Sequence, residues 1–120
     1  MSSTCADLEV WRAAMDFIVR VYQLSKKFPK EEIYGLTSQI RRAALSVPSN
    51  IAEGKGRFSD RELTHFLSNA RGSLFEIETQ VRLAQRLGYV SQEESGQLLR
   101  DAARVGQMIN GLIRSVRPAA

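Results

Sequence analysis

Four cationic side chains offer the clearest chemistry in this 120-residue chain. Arg41 and Arg42 are adjacent, and neither has an acidic residue three or four positions away, the spacing at which charges pair along a helix. Lys55 and Arg57 follow at the glycine-flanked end of the same segment. Guanidinium and ammonium groups bind phosphate oxygens as forks and point charges. We therefore predict Arg41, Arg42, Lys55 and Arg57 as nucleic-acid contacts.

The alternative for these cations is ion pairing with a carboxylate across helices, such as Glu53 or Glu76, and the sequence leaves both readings open. The chain has no aromatic-rich basic motif of the kind that stacks on bases, so any binding is expected to be electrostatic and weakly sequence-selective. The net charge of +4 permits a nucleic-acid partner without requiring one.

A second set of candidates consists of polar side chains at three- and four-residue steps on two predicted helices. A bundle helix needs a solvated polar face, which is one explanation of this pattern. Hydrogen bonds between subunits are the other explanation. The residues predicted at a subunit interface are Ser46, Asn50, Glu53, Ser73, Glu76 and Gln80.

Catalysis and metal binding find little support in the residue pattern. Glu62 and His65 have the Glu-x-x-His spacing of di-metal bundle proteins, but that site needs two such motifs and His65 is the only histidine. The serines have no histidine base at a recognisable spacing, and Cys5 is the only cysteine. We therefore predict no catalytic residue, no metal site, no cofactor and no enzymatic activity.

Length and composition indicate one domain over residues 1–120, because 43% hydrophobic and 25% charged residues are ordinary for a globular protein. A lone cysteine fits a reducing cytoplasm, and cytoplasmic localisation is the expectation. The N-terminal residues lack a signal-peptide pattern, and no apolar run approaches the length of a membrane span.

The elements that must position these residues are four amphipathic helices, predicted at about 7–27, 37–54, 59–87 and 91–116. Short connections make successive helices antiparallel, which predicts an all-α, up-down-up-down antiparallel four-helix bundle. Pro48 lies inside the second helix and is predicted to kink it. The predicted end signals are Asp7 and Thr37 as N-caps, capping boxes at Ser59–Glu62 and Ser91–Glu94, a hydrophobic staple of Phe58 with Leu63, and Pro118 as a stop.

Apolar side chains repeat along each helix at the steps expected of a core-facing stripe. In the third helix these steps form an unbroken heptad seam: Leu63, Leu67, Ala70, Leu74, Ile77, Val81 and Ala84. In the first helix the predicted stripe is Leu8, Trp11, Met15, Ile18, Tyr22 and Ser25, widened by Ala14 and Val21.

The central stretch also resembles a known family. The segments 36–44 and 49–54 closely resemble the signature of the four-helix bundle proteins encoded in intervening sequences of bacterial 23S rRNA genes. The likeness continues through Phe66-Leu67, the segments 72–74 and 76–80, and Leu87-Gly88-Tyr89, and it extends over roughly Leu8 to Val116.

This resemblance implies a four-helix bundle that assembles into a homo-oligomer, with pentamers known in the family. It also points to accessory proteins of diversity-generating retroelements, in which a basic oligomer engages RNA or DNA and a reverse transcriptase. The function predicted on this basis is a nucleic-acid-binding accessory protein. An oligomeric protein-interaction scaffold without a nucleic-acid role is the alternative.

Overall fold

The computed structural model describes residues 5–116, and their side chains from Glu9 onward. Its four helices are α1 (Cys5–Ser25), α2 (Leu36–Lys55), α3 (Asp60–Arg86) and α4 (Gln92–Val116), with a 3₁₀ turn at Lys30–Glu32 between the first two. No strand occurs in this described range. The predicted all-α class is confirmed, and each helix end lies within two residues of its predicted position.

The helices form a four-membered antiparallel ring in which each helix packs on two others. Opposite chain directions follow from side-chain contacts, since later residues of one helix meet earlier residues of the next. These contacts join Arg20 to Asp101 and Lys27 to Glu94, Ser46 to Ser73 and Gly54 to Leu63, and Arg71 to Asn110 and Gln85 to Ser95. The predicted four-helix bundle is confirmed.

The core is one cluster that runs the length of the bundle. All seven predicted seam positions of α3 are buried, and they are the buried residues of that helix. The 27 residues of α3 span roughly 40 Å at 1.5 Å per residue, close to the 45 Å long axis of the molecule. The heptad seam of α3 therefore faces the other helices along nearly the whole bundle.

The predicted stripe of α1 is partly wrong. Met15 is 36% exposed, whereas Phe17 and Leu24, which the stripe omitted, are buried. Tyr22 is only half-buried, and its ring packs against Arg41 of α2. The true core stripe of α1 is rotated away from these large edge residues.

The helix-end signals divide into confirmed and corrected predictions. At the start of α4, the Glu94 N–H donates to Ser91 Oγ at 3.0 Å and the Ser91 N–H donates to Glu94 Oε1 at 2.9 Å, a complete capping box. At the start of α3, the Glu62 N–H donates to Ser59 Oγ at 3.1 Å. The predicted staple is wrong, because Phe58 is 96% exposed. The predicted signals at Asp7 and Pro118 lie outside the described side chains.

Thr37 is not the N-cap of α2. The helix begins at Leu36, and Thr37 is buried within its first turn. The cap is replaced by Glu32, whose Oε1 accepts the Leu36 N–H at 2.9 Å. The carboxylate also accepts the Tyr89 hydroxyl at 2.8 Å, which ties the start of α2 to the α3–α4 loop.

These hydrogen bonds perturb both titrating groups. The hydrogen bond from the Leu36 amide, and then that from Tyr89, hold the pKa of Glu32 below its usual value. The same carboxylate raises the pKa of Tyr89, because ionising the phenol would break the hydrogen bond. The N-terminal half of α2, which carries two of the candidate cations, is therefore anchored at its first turn.

Pro48 is buried within α2, which continues as helix on both sides of it. The missing N–H removes one helical hydrogen bond. The kink at this residue stays a prediction.

Candidate nucleic-acid interface

The four predicted phosphate contacts do not form one cluster. Arg41 and Arg42 lie in the N-terminal half of α2, whereas Lys55 is its last residue and Arg57 lies in the following loop. From Arg42 to Lys55 the helix rises roughly 20 Å and turns so that the two side chains leave about 140° apart. The structure therefore separates the cations into a pair on α2 and a pair at the α2–α3 loop.

Arg41 is used to join α1 to α2. Its Nε donates to Ser25 Oγ at 2.8 Å, and its guanidinium carbon lies 5.0 Å from the centre of the Tyr22 ring. A cation over a tyrosine face is attracted by the ring quadrupole, and the side chain is half-buried. A phosphate contact by Arg41 is limited to the part of the guanidinium that these contacts leave free.

Arg57 is also held within the chain. Its guanidinium carbon lies 4.7 Å from the centre of the Phe66 ring of α3. Its Nη2 lies 3.7 Å from Glu53 Oε1, an ion pair between residues four positions apart and not the pairing across helices that the sequence left open. Both side chains are substantially exposed, at 40% and 58%, so this ion pair contributes little stability.

Arg42 and Lys55 are the unpaired members of the set. Arg42 is exposed and Lys55 is half-buried. Neither has an ion pair or a side-chain hydrogen bond within the part of the chain that the structure describes. These two cations are therefore the most available to an external anion.

Of the six polar residues predicted at a subunit interface, Ser46 and Ser73 lie in the contact between α2 and α3. Ser46 and Ser73 are half-buried and hydrogen-bond to each other across the two helices. Asn50 Nδ2 donates to the Ser46 carbonyl at 2.7 Å. Gln80 Nε2 lies 3.5 Å from Glu76 Oε2 on the same helix, a weak contact. Much of this hydrogen-bonding capacity is thus used inside one chain.

The outward carboxylates and Gln80 retain capacity for further contacts. Glu53 and Glu76 are exposed. The Gln80 Oε1 atom is buried and has no hydrogen-bond partner in the described structure. An unsatisfied buried acceptor of this kind is uncommon in native proteins. The interface role of these side chains stays a prediction.

A groove between α1 and α4 has a volume of about 630 Å³. Its charges balance, because three cations face three carboxylates: Arg20, Lys27 and Arg100 with Glu93, Glu94 and Asp101. Arg20 Nε lies 2.9 Å from Asp101 Oδ2. Such a groove has no net attraction for a phosphate chain.

The described residues, 5–116, show neither a cluster of metal-ligating side chains nor a helix that could span a membrane. Over that range, no group of three or more metal-ligating side chains comes together. None of the four described helices combines the length and apolar content that crossing a bilayer requires. His65 is exposed and lies edge-on to Phe66, with ring centres 5.6 Å apart.

Comparisons with known proteins identify the family and the fold. The model of the family described as 23S rRNA-intervening sequence protein matches residues 6–111. A solved structure of a protein of unknown function from the S23 ribosomal protein family of Bacteroides thetaiotaomicron has a TM-score of 0.83. That similarity covers 91% of this chain and 98% of the other at 24% sequence identity, and it supports the fold alone. The comparison with curated proteins gave no match.

Proposed function

The chain belongs to the 23S rRNA-intervening sequence protein family, and from that premise we propose that it is a non-enzymatic, homo-oligomeric bundle that binds RNA or DNA through phosphate contacts. The observation that carries this proposal is the availability of Arg42 and Lys55, two cations without a described partner. Arg41 and Arg57 add partly occupied guanidinium groups beside them.

The proposed assembly would strengthen the binding of a nucleic acid, because a single chain has its candidate cations at two separated places. Copies related by rotational symmetry would repeat both places around the oligomer, and a nucleic acid would contact several chains at once. A pentamer is the number that the family resemblance implies. A reverse transcriptase partner and a cytoplasmic location belong to the same proposal.

Salt dependence is the signature of this binding mode. We expect the affinity for single-stranded RNA to fall as salt rises, with a log–log slope of about −0.7 for each neutralised phosphate. Replacing Arg42 and Lys55 together by Gln is expected to reduce the magnitude of that slope by about 1.4. Fluorescence anisotropy with an end-labelled RNA over a series of KCl concentrations measures both slopes.

A matched control distinguishes the effect of where the cations lie from the effect of lowering the net charge. The double variant Arg104→Gln and Arg114→Gln removes the same charge from exposed positions of α4. Its slope is expected to stay close to that of the wild-type protein. Equal slopes for both double variants, or no binding by the wild-type protein at low salt, would contradict the proposal.

The scaffold alternative has an observation of its own in its favour. Met15, Val19 and Leu45 are 36%, 53% and 48% exposed. Tyr22 and Arg41 contact each other and mark the edge where α1 meets α2. Met15 lies two turns from Tyr22 and Leu45 one turn from Arg41, so these apolar side chains follow the same edge. A protein partner is the natural cover for such a row.

A further inference from the structure

Phe58 is the most exposed large apolar side chain in the described structure. It lies in the loop between α2 and α3 and is 96% exposed. Burying a phenylalanine normally stabilises a protein, and Leu63, the predicted staple partner, lies in the core. The α2–α3 loop leaves the ring in water instead.

The loop holds Phe58 at a defined place between two anchored ends. On the α2 side, the Gly56 N–H donates to the Glu53 carbonyl at 3.2 Å and the Arg57 N–H donates to the Gly54 carbonyl at 3.1 Å. On the α3 side, the Ser59 hydroxyl accepts the first-turn amide that it caps. The Phe66 ring lies against Arg57, whose guanidinium carbon is 4.7 Å from the ring centre. Phe58 is therefore an exposed ring in a loop that is hydrogen-bonded on both sides.

Two of the cations beside this ring have no described partner. Lys55 and Arg61 make no ion pair within the part of the chain that the structure describes, whereas Arg57 is paired with Glu53. The neighbouring carboxylates, Asp60 and Glu62, lie in the first turn of α3, where the helix dipole favours them. An anionic partner with a planar apolar face suits this arrangement.

Unpaired nucleotides combine those two properties. Proteins that bind single strands place aromatic side chains against base faces and cations along the phosphates, and every base has a face to stack on. We propose that Phe58 stacks on an unpaired base of an RNA or DNA strand, while Lys55 and Arg61 contact the flanking phosphates. This inference rests on the proposed function and names its substrate class as single-stranded nucleic acid.

The test replaces Phe58 and measures binding to an oligo(U) of about 12 nucleotides, a length within the range of single-strand sites. Phe58→Ala is expected to weaken this binding by about 5- to 100-fold, since each stacked base contributes that much. The salt slope is expected to stay unchanged, because no phosphate contact is lost. Phe58→Trp is expected to restore the affinity, and Phe58→Leu is not.

Tyr34 supplies the matched control. It is 94% exposed and lies in the connection that precedes α2, so Tyr34→Ala removes an equally accessible aromatic ring at the opposite end of the bundle. That variant is expected to bind oligo(U) like the wild-type protein. Duplex RNA of the same length is expected to bind Phe58→Ala and the wild type equally, because paired bases have no free face.

Three results would overturn the stacking role. The first two are an unchanged oligo(U) affinity in Phe58→Ala and an equal loss of affinity in Tyr34→Ala. The third is a lower oligomer mass in Phe58→Ala, which would make the ring a subunit contact. If Phe58→Ala binds normally while the Arg42 and Lys55 double variant shows the expected smaller salt slope, only the stacking proposal fails. If the wild-type protein binds no strand at low salt, both proposals fail.

Discussion

Replacing Leu67 by Ala is expected to lower the free energy of unfolding by about 2–5 kcal/mol, the range for a truncated core leucine. Leu67 is fully buried in the seam of α3, so its loss removes apolar contacts and leaves a cavity. Urea denaturation followed by circular dichroism, at one fixed protein concentration, measures the change.

Leu83 provides the control on the same helix. It is 45% exposed, so Leu83→Ala is expected to change the free energy of unfolding by no more than about 0.5 kcal/mol. Equal losses for the two variants would show that the seam of α3 is not the buried face.

Replacing Gly54 by Ala is expected to cost about 1–3 kcal/mol of stability, although alanine is the better helix former. A Cβ at this position would lie 2.9 Å from Leu63 Cδ1 and 3.1 Å from Phe66 Cβ. The second contact is close to the backbone of α3, so the helices would have to move apart. Thermal unfolding of the variant measures the loss.

Gly72 provides the control, because the same substitution there is expected to change the stability in the opposite direction. It lies within α3, and a Cβ added there would meet nothing within 4 Å. Gly72→Ala is therefore expected to raise the stability by about 0.5–1 kcal/mol through helix propensity. A stabilising Gly54→Ala would contradict the close approach of α2 and α3.

The parts of the fold that the sequence predicted are those determined by local periodicity. In α3, apolar residues repeat without a break, and all of them are buried. In α1, Trp11 is only partly buried and Met15 is exposed, so a stripe drawn through them was displaced from the buried Phe17 and Leu24. The prediction followed the large apolar side chains, whereas packing against α2 and α4 determines which face of α1 is buried.

Helix caps show the same division between local and tertiary effects. The Ser91–Glu94 box is closed by residues within one turn and was predicted correctly. At α2, Glu32 takes the role expected of Thr37 because it is held from across the bundle by Tyr89. The hydrogen bond between Tyr89 and Glu32 joins residues far apart in the sequence, so no rule of local spacing predicts it.

The sequence predicted which residue types form the candidate site, but it did not predict most of the contacts that their side chains make within the chain. The availability of Arg42 follows from its lack of local acidic neighbours, which the sequence shows. The partners of Arg41 are on α1 and the ring beneath Arg57 is on α3, so these contacts depend on helix packing. Phe58 was predicted as a staple because the position before an N-cap often packs inward. A signal for its exposure was present in the run from Gly54 to Phe58, where glycines and cations surround a single aromatic residue.

Light scattering of the purified protein, alone and with an excess of single-stranded RNA, tests the central claim most directly. Each chain has a mass of 13.5 kDa. We predict a single species whose mass is a whole multiple of that value, with five copies as the expected number, and a further gain equal to the bound RNA at low salt. A mass of 13.5 kDa that RNA does not change would contradict both the assembly and the binding.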